Sequence, residues 1–269
     1  MSDETEEKTT LYTVPPVTRA IKVLRHVGAG HGCINISQTS KTLGINRTTL
    51  IRLLNTLAEE RMIEWVDDAR GYALGVGLLG LAAEALSNRD ILRAARPRLA
   101  ALARRTHLSA HLGVLDGRDV VYLLREVPEA RLVSNVREGT RLPAHATTMG
   151  RMLLAHLSEP ELFGLYTGKA MPEYSAATAT SPEELHRQLQ QDRARGIVWS
   201  DENFEPMIGS CACPVRDHAG KVIAAINLSG SNSDFTPGTE QAELNAAAIR
   251  ACAAEISEAL GWRAPQVAG

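Results

Sequence analysis

The sequence predicts an α+β protein of two domains, a small helical module closed by a β-hairpin and a larger sandwich of sheet and flanking helices. Three observations carry this reading. The length of 269 residues exceeds one typical domain, and 44% hydrophobic residues suffice for two cores. The first quarter of the chain shows helical periodicity that ends in one hairpin pattern, whereas later apolar runs alternate as strands between helical stretches. Between Val17 and Ile63 seven basic residues stand against only Glu59 and Glu60, so a positive module is set into a chain of formal net charge -2.

Residues 1–15 are polar and acidic up to the Pro15-Pro16 pair and read as a disordered lead. Val17, Ala20, Ile21, Leu24 and Val27 then recur at helical spacing as one buried stripe, and Gly28 and Gly30 stop it. Two further helices follow, Ser37 to Leu43 and Asn46 to about Glu60. Gly44 turns the chain between them, Asn46 caps the second, and Ile45 with Leu50 is spaced as a hydrophobic staple. Two helices about a tight glycine turn make a helix-turn-helix.

The second helix of that pair has two faces. Leu50, Leu53, Leu54 and Leu57 fall together, and Arg47, Thr48, Ile51, Arg52 and Asn55 lie opposite. Guanidinium forks, an amide, a hydroxyl and one aliphatic chain suit base edges and phosphates in a major groove, whereas a merely solvated face favours Glu-Lys alternation. After Arg61, MIEWV, DDARG and YALG read as strand, turn and strand, a wing. The candidate DNA-binding residues are Ser37, Gln38, Asn46, Arg47, Thr48, Thr49, Ile51, Arg52, Asn55, and Arg70 and Tyr72 near the wing tip. These place a winged helix-turn-helix at residues 16–75.

Gly75-Val-Gly-Leu-Leu-Gly80 satisfies the GxGxxG spacing of a dinucleotide turn. It lacks the acidic residue about twenty positions on, where Arg96 and Arg98 stand, and follows a short polar hairpin instead of a buried strand. A hinge fits better. Residues 76–90, with Leu78, Leu79, Leu81, Ala82, Ala85 and Leu86 on an apolar face, form a linker helix that connects domains or pairs subunits.

From Ile91 to residue 264 the pattern is mixed. A helix with Leu92, Leu99 and Leu102 precedes HLGVL and VVYLLREV, two strands around Asp116-Gly117. A helix spans Thr147 to Leu157, and another opens at Ser181-Pro-Glu-Glu184. Strands Cys211 to Val215 and Lys221 to Ser229 meet at the turn Asp217 to Gly220, and the last helix puts Leu244, Ile249, Cys252, Ile256 and Leu260 on one side. No apolar run reaches eighteen residues and no leader pattern opens the chain, so a cytoplasmic location without membrane association is expected. Cys33, Cys211, Cys213 and Cys252 fit no disulfide framework.

GINRTTLIRLLNTLAEERMIE resembles the recognition helix of the IclR family of bacterial regulators, and TRLPAHATTMGRMLLA, RARGIVWSDENFEPMIGSCACPV and GKVIAAINLSG resemble segments of that family's GAF-like effector domain. The resemblance runs from about Val17 to Gly261. It implies a homodimer or homotetramer on near-palindromic double-stranded operator DNA, with a small organic acid bound in the second domain. The positions matching the family's ligand-contacting segments are Thr148, Met149, Gly150, Asp201, Ser210, Asn227 and Ser229. Ser210 stands where members often carry Cys, and Asn227 where Ser is common. TRLPAHATTMGR is most similar to members that sense protocatechuate-type aromatic acids. Backbone amides opening the helix near Thr147 suit a carboxylate.

Two other functions are open to the same residues. Cys211 and Cys213, on one face of a strand, together with His107, His111 and His145, have the chemistry of an enzyme nucleophile or metal site, although no HExxH, GxSxG or paired CxxC accompanies them. Alternatively the second domain only dimerises and binds no ligand. No cofactor is expected.

Overall fold

In the computed structural model the described residues are 13–87, 90–127, 136–200, 204 and 207–263. Most of the expected lead, residues 1–12, lies outside them. The chain divides into two compact units between Asn88 and Arg89.

In the first unit, helix α1 (Pro15–Gly28) begins two residues earlier than the periodicity suggested, because two prolines occupy its first turn, where their missing N–H groups have no intrahelical partner to lose. Its buried stripe is also rotated. Val23 and Val27 are buried with Ala20 and Leu24 packed beside them, while Val17 and Ile21 are 55% and 44% exposed. Helices α2 (Ile36–Leu43) and α3 (Arg47–Glu59) follow. Asn35 caps α2 through Gln38 N at 3.1 Å, and Asn46 caps α3 through Thr49 N at 2.8 Å. Gly44 stands between them in the left-handed region, with φ +65°, which admits glycine at no steric penalty.

The wing pairs β1 (Ile63–Asp67) with β2 (Gly71–Leu74). Helix α4 (Val76–Ser87) leaves it immediately. Gly75 N donates to Met62 O and Gly77 N to Arg61 O, both at 2.9 Å. A Cβ on Gly75 would stand 2.3 Å from Arg61 O, and one on Gly77 2.8 Å, so these glycines exist to let α4 lie against the start of the wing. On α4, Leu79 and Leu81 are exposed. The side chains of Ala85 and Leu86 lie outside the described residues.

The second unit opens with α5 (Asp90–Thr106) and contains a six-stranded antiparallel sheet ordered β5-β4-β3-β8-β7-β6. Its strands are β3 (Ser109–Asp116), β4 (Asp119–Glu126), β5 (Arg141–Pro143), β6 (Val198–Trp199), β7 (Ile208–Arg216) and β8 (Val222–Ser231). Helices α6 (Thr148–Leu154), α7 (Glu159–Tyr166) and α8 (Pro182–Arg195) separate β5 from β6, and α9 (Glu240–Ala259) ends the fold.

Strand alternation, shifted on the β3–β4 pair by a bulge at Leu112/Gly113, divides the sheet between two cores. Leu112, Leu124, Cys211, Cys213, Ile226 and Leu228 pack with α5 and α9. Val120, Tyr122, Ala212 and Ala225 face the other way, with α6, α7 and α8. Ile249, Cys252 and Ile256 bury as expected, and Leu260 packs partly, but Leu244 is 57% exposed. Helix α7, the short strands β5 and β6, and a 3-10 turn at Asn232–Phe235 were not evident from sequence periodicity. Such elements are too brief to show a period.

Candidate nucleic-acid interface and ligand pocket

The leucines of α3 fix what its other face can do. Leu50, Leu54 and Leu57 lock into the small core with Val23, Val27, Ile45 and Ile63, which leaves Arg47, Thr48, Ile51, Arg52 and Asn55 exposed together. Gln38 on α2 is exposed as well, whereas Ser37 and Thr49 are half-buried. Asn46 is a cap: its side-chain oxygen already accepts the Thr49 amide. At the wing, Arg70 is exposed but held by Asp67, with Nε–Oδ2 at 2.8 Å. The same contact lowers the Asp67 pKa. Tyr72 is half-buried and meets its cross-strand partner Trp65 edge-on at 5.1 Å. Trp65 itself is exposed, and the sequence reading passed over it. A tryptophan on the outer face of a two-stranded ribbon was the available signal.

In the second unit a cavity of about 470 Å3 between atoms, mouth included, opens on the face of the sheet that carries α6. Four of the expected residues line it: Thr148 from α6, Ser210 from β7, and Asn227 and Ser229 from β8. Register explains their convergence. Ser210 pairs with Ser229, and Asn227 lies beside Ala212, so side chains at every second position of adjacent strands turn to one side. Thr148 and Ser210 hydroxyls meet at 3.1 Å.

Met149 and Gly150 do not line this cavity. Met149 is buried in the hydrophobic cluster of α6, and Gly150 lies against Ala144, whose carbonyl oxygen would be 2.2 Å from an added Cβ. The amide of Gly150 is taken by Thr147 Oγ1 at 3.3 Å, and α6 is only seven residues long. Asp201 lies outside the described residues. The cavity instead includes residues that sequence matching did not assign to it, among them His111, Tyr122, Leu142, Phe204 and Ile208. Placement on β3 between the core residues Ala110 and Leu112 was the sign that His111 faces the opposite side.

His111 is 1% exposed and its Nδ1 lies 2.9 Å from Asn227 Oδ1. Burial lowers its pKa to about 4 against the opposing pull of Asn227, with Arg125 adding to the lowering, so the ring is neutral. Tyr122 meets it edge-on at 5.5 Å. Behind the cavity, Arg151 and Asp192 form a buried bidentate pair, Nε–Oδ2 and NH2–Oδ1 both at 2.9 Å, and Arg151 NH1 donates to Trp199 O at 3.4 Å.

The thiol chemistry open to the sequence does not fit this setting. Cys211 and Cys213 share a face, as alternation required, but it is the α5/α9 core. Burial raises Cys211 well above the ordinary thiol range and Cys213 to about 12, the reverse of a reactive thiolate. His145 Nε2 is 3.0 Å from Pro172 O. Among the described residues no group of three His, Cys, Asp or Glu is placed to hold a metal, and no helix is long and apolar enough to cross a membrane.

Comparison with known proteins accounts for both units. Residues 16–67 match the IclR helix-turn-helix domain, and residues 83–258 match the bacterial transcriptional regulator IclR C-terminal domain. The HTH-type transcriptional regulator XynR of Escherichia coli K12 is 33% identical over 253 residues, spanning 93% of this chain and 99% of its own. The crystal structure of an IclR transcriptional regulator from Silicibacter sp. TM1040 superposes with a TM-score of 0.80 at 26% identity, over 93% and 98% of the two chains. An IclR homologue of Microbacterium hydrocarbonoxydans, crystallised with 4-hydroxybenzoate, shares the fold at a TM-score of 0.78 and 24% identity, over 91% and 98%. With an exposed basic helix face in one unit and a lined cavity in the other, this chain belongs to the IclR family of transcriptional regulators, non-enzymatic proteins that join a DNA-binding helix-turn-helix to a C-terminal ligand-binding domain.

Proposed function

We propose that the chain binds a near-palindromic operator as a homodimer or tetramer, and that a small organic acid held in the cavity of the second unit shifts that affinity and so controls a catabolic operon. In this reading residues 16–75 bind DNA, 76–90 link, and 91–264 hold the effector. Arg47 and Arg52 supply phosphate or guanine contacts, Asn55 an amide and Ile51 an apolar contact for a thymine methyl. Gln38, Ser37 and Arg70 support register on the backbone.

The observation that carries the effector half is the composition of the cavity wall. Thr148, Ser210, Asn227 and Ser229 gather hydroxyl and amide groups on one side, and Tyr122, Leu142, Phe204 and Ile208 supply an apolar surround. A concave site that pairs convergent polar groups with an apolar surface is what a small ring-bearing acid requires. The aromatic acid bound by the Microbacterium homologue is consistent with that chemistry.

The test is a footprint on the DNA upstream of the gene, with and without a panel of aromatic and keto acids. Arg47→Ala and Arg52→Ala are expected to weaken operator binding at least several-fold while the melting temperature stays within a degree or two. An active acid is expected to change affinity between several-fold and about a hundred-fold, the ordinary range of allosteric coupling. Loss of stability equal to the loss of binding would place those arginines in the core, and indifference to every acid would remove the effector.

A further inference from the structure

We propose that His111 reads a hydroxyl group on the effector, so that the pocket selects a hydroxylated aromatic acid over the same acid without that hydroxyl. This rests on the effector reading above and narrows it.

The argument begins with the central strands. His111 on β3 and Asn227 on β8 are cross-strand partners, and both side chains line the cavity. Their contact, Nδ1 to Oδ1 at 2.9 Å, joins a ring nitrogen to an amide oxygen that can only accept. Nδ1 therefore carries the hydrogen and donates it. A neutral imidazole has one N–H, so Nε2 is left as a lone-pair acceptor. The low pKa that burial imposes keeps the ring in this form at cellular pH.

That acceptor is unused by the protein. His111 Nε2 is shielded from solvent and meets no hydrogen-bond partner among the described residues, and the same holds for Ser229 Oγ on the same wall. A buried acceptor without a partner penalises the empty pocket. An accepting lone pair repels a carboxylate oxygen and an ether oxygen alike. It is satisfied only by a donor, and the donor a small aromatic acid brings to this pocket is a hydroxyl. Ser229 Oγ can donate back to that oxygen or accept a second hydroxyl. Among the described residues no Lys, Arg, Asp or Glu lines the cavity, so the discrimination at this wall is by hydrogen bond and not by charge. A site built around such a bond rejects the analogue that leaves it unmade far more strongly than an apolar pocket rejects a missing methylene.

The experiment is calorimetric titration of the full-length wild-type protein at pH 7.5 with benzoate, 3-hydroxybenzoate, 4-hydroxybenzoate, 3,4-dihydroxybenzoate and 4-methoxybenzoate. At least one hydroxylated acid is expected to bind ten-fold or more tightly than benzoate, with 4-methoxybenzoate, which accepts but cannot donate, no better than benzoate. In His111→Leu the hydroxyl preference should collapse to within about two-fold. Benzoate binding equal to or tighter than every hydroxylated acid overturns the proposal and leaves the acid-effector reading standing. Binding of none of the five overturns the proposal, and the acid-effector reading then stands or falls on the keto acids of the footprint panel. Should His111→Leu not fold, the comparison of hydroxyl against methoxy on the wild-type chain still decides the matter.

Discussion

Arg151 and Asp192 show how much a single residue pair can hold in place. The arginine sits in α6 three positions after the pocket residue Thr148, and its guanidinium is shared between Asp192 of α8 and the carbonyl of Trp199, next to Ser200 on the cavity wall. Both charged groups are almost wholly removed from water. Removing one partner breaks the bidentate pair in a site closed to water, so Asp192→Ala is expected to lower unfolding stability by about 3–5 kcal/mol, whereas replacing both by apolar residues costs far less. Urea titration of the single variant against Arg151→Met/Asp192→Leu checks this. At this scale the sequence was legible in part. Thr148, Ser210, Asn227 and Ser229 were placed on the cavity by motif matching. Met149 and Gly150 came from the same matching, but helix rotation turns them elsewhere. His111 was noticed for its chemistry but tied to the wrong partners, because its hydrogen bond to Asn227 spans 116 residues that no local pattern connects.

Elements whose period repeats several times were the readable ones. Helix α3, with its asparagine cap and leucine face, was legible from Asn46 to its last turn, since cap, staple and stripe all specify the same register. Helix α1 was found but its inner face was misplaced. Val17 and Ile21 fit the stripe as well as Val23 does, and only packing against α3 chooses between them. The glycine-rich seam behind the wing carries a prediction at this scale. In Gly75→Ala the new methyl would press on the Arg61 carbonyl, and the resulting overpacking is expected to destabilise the first unit by about 1–3 kcal/mol. The thermal transition of the full chain should register this, while Gly80→Ala, where an added Cβ meets nothing within 4 Å, should not.

For the molecule as a whole, the net charge of -2 concealed the basic module that local counting revealed, and composition gave no hint of where the cavity would lie. That location follows from the sheet order, which sets β3 beside the β7–β8 hairpin although β3 lies far from it in sequence. Stability should respond to pH through the buried histidines. The folded pKa of His111 is about 4 against an ordinary 6.5, so the unfolded chain takes up the proton first as pH falls. Its contribution is therefore complete above pH 6.5, declines as pH falls toward 4, and reaches a limit below that. Burial displaces His145 and His156 in the same direction. Urea midpoints measured from pH 7.5 to 4.5 are expected to fall steadily below 6.5, with a shallower slope in His111→Leu.

The two hydrogen bonds donated by the Gly75 and Gly77 amides to Met62 and Arg61 leave little slack between helix α4 and the hairpin beside it. A twist applied to that helix has no joint at which to dissipate. It must steer hairpin and arginine-bearing face together, as a shaft does and a loop does not.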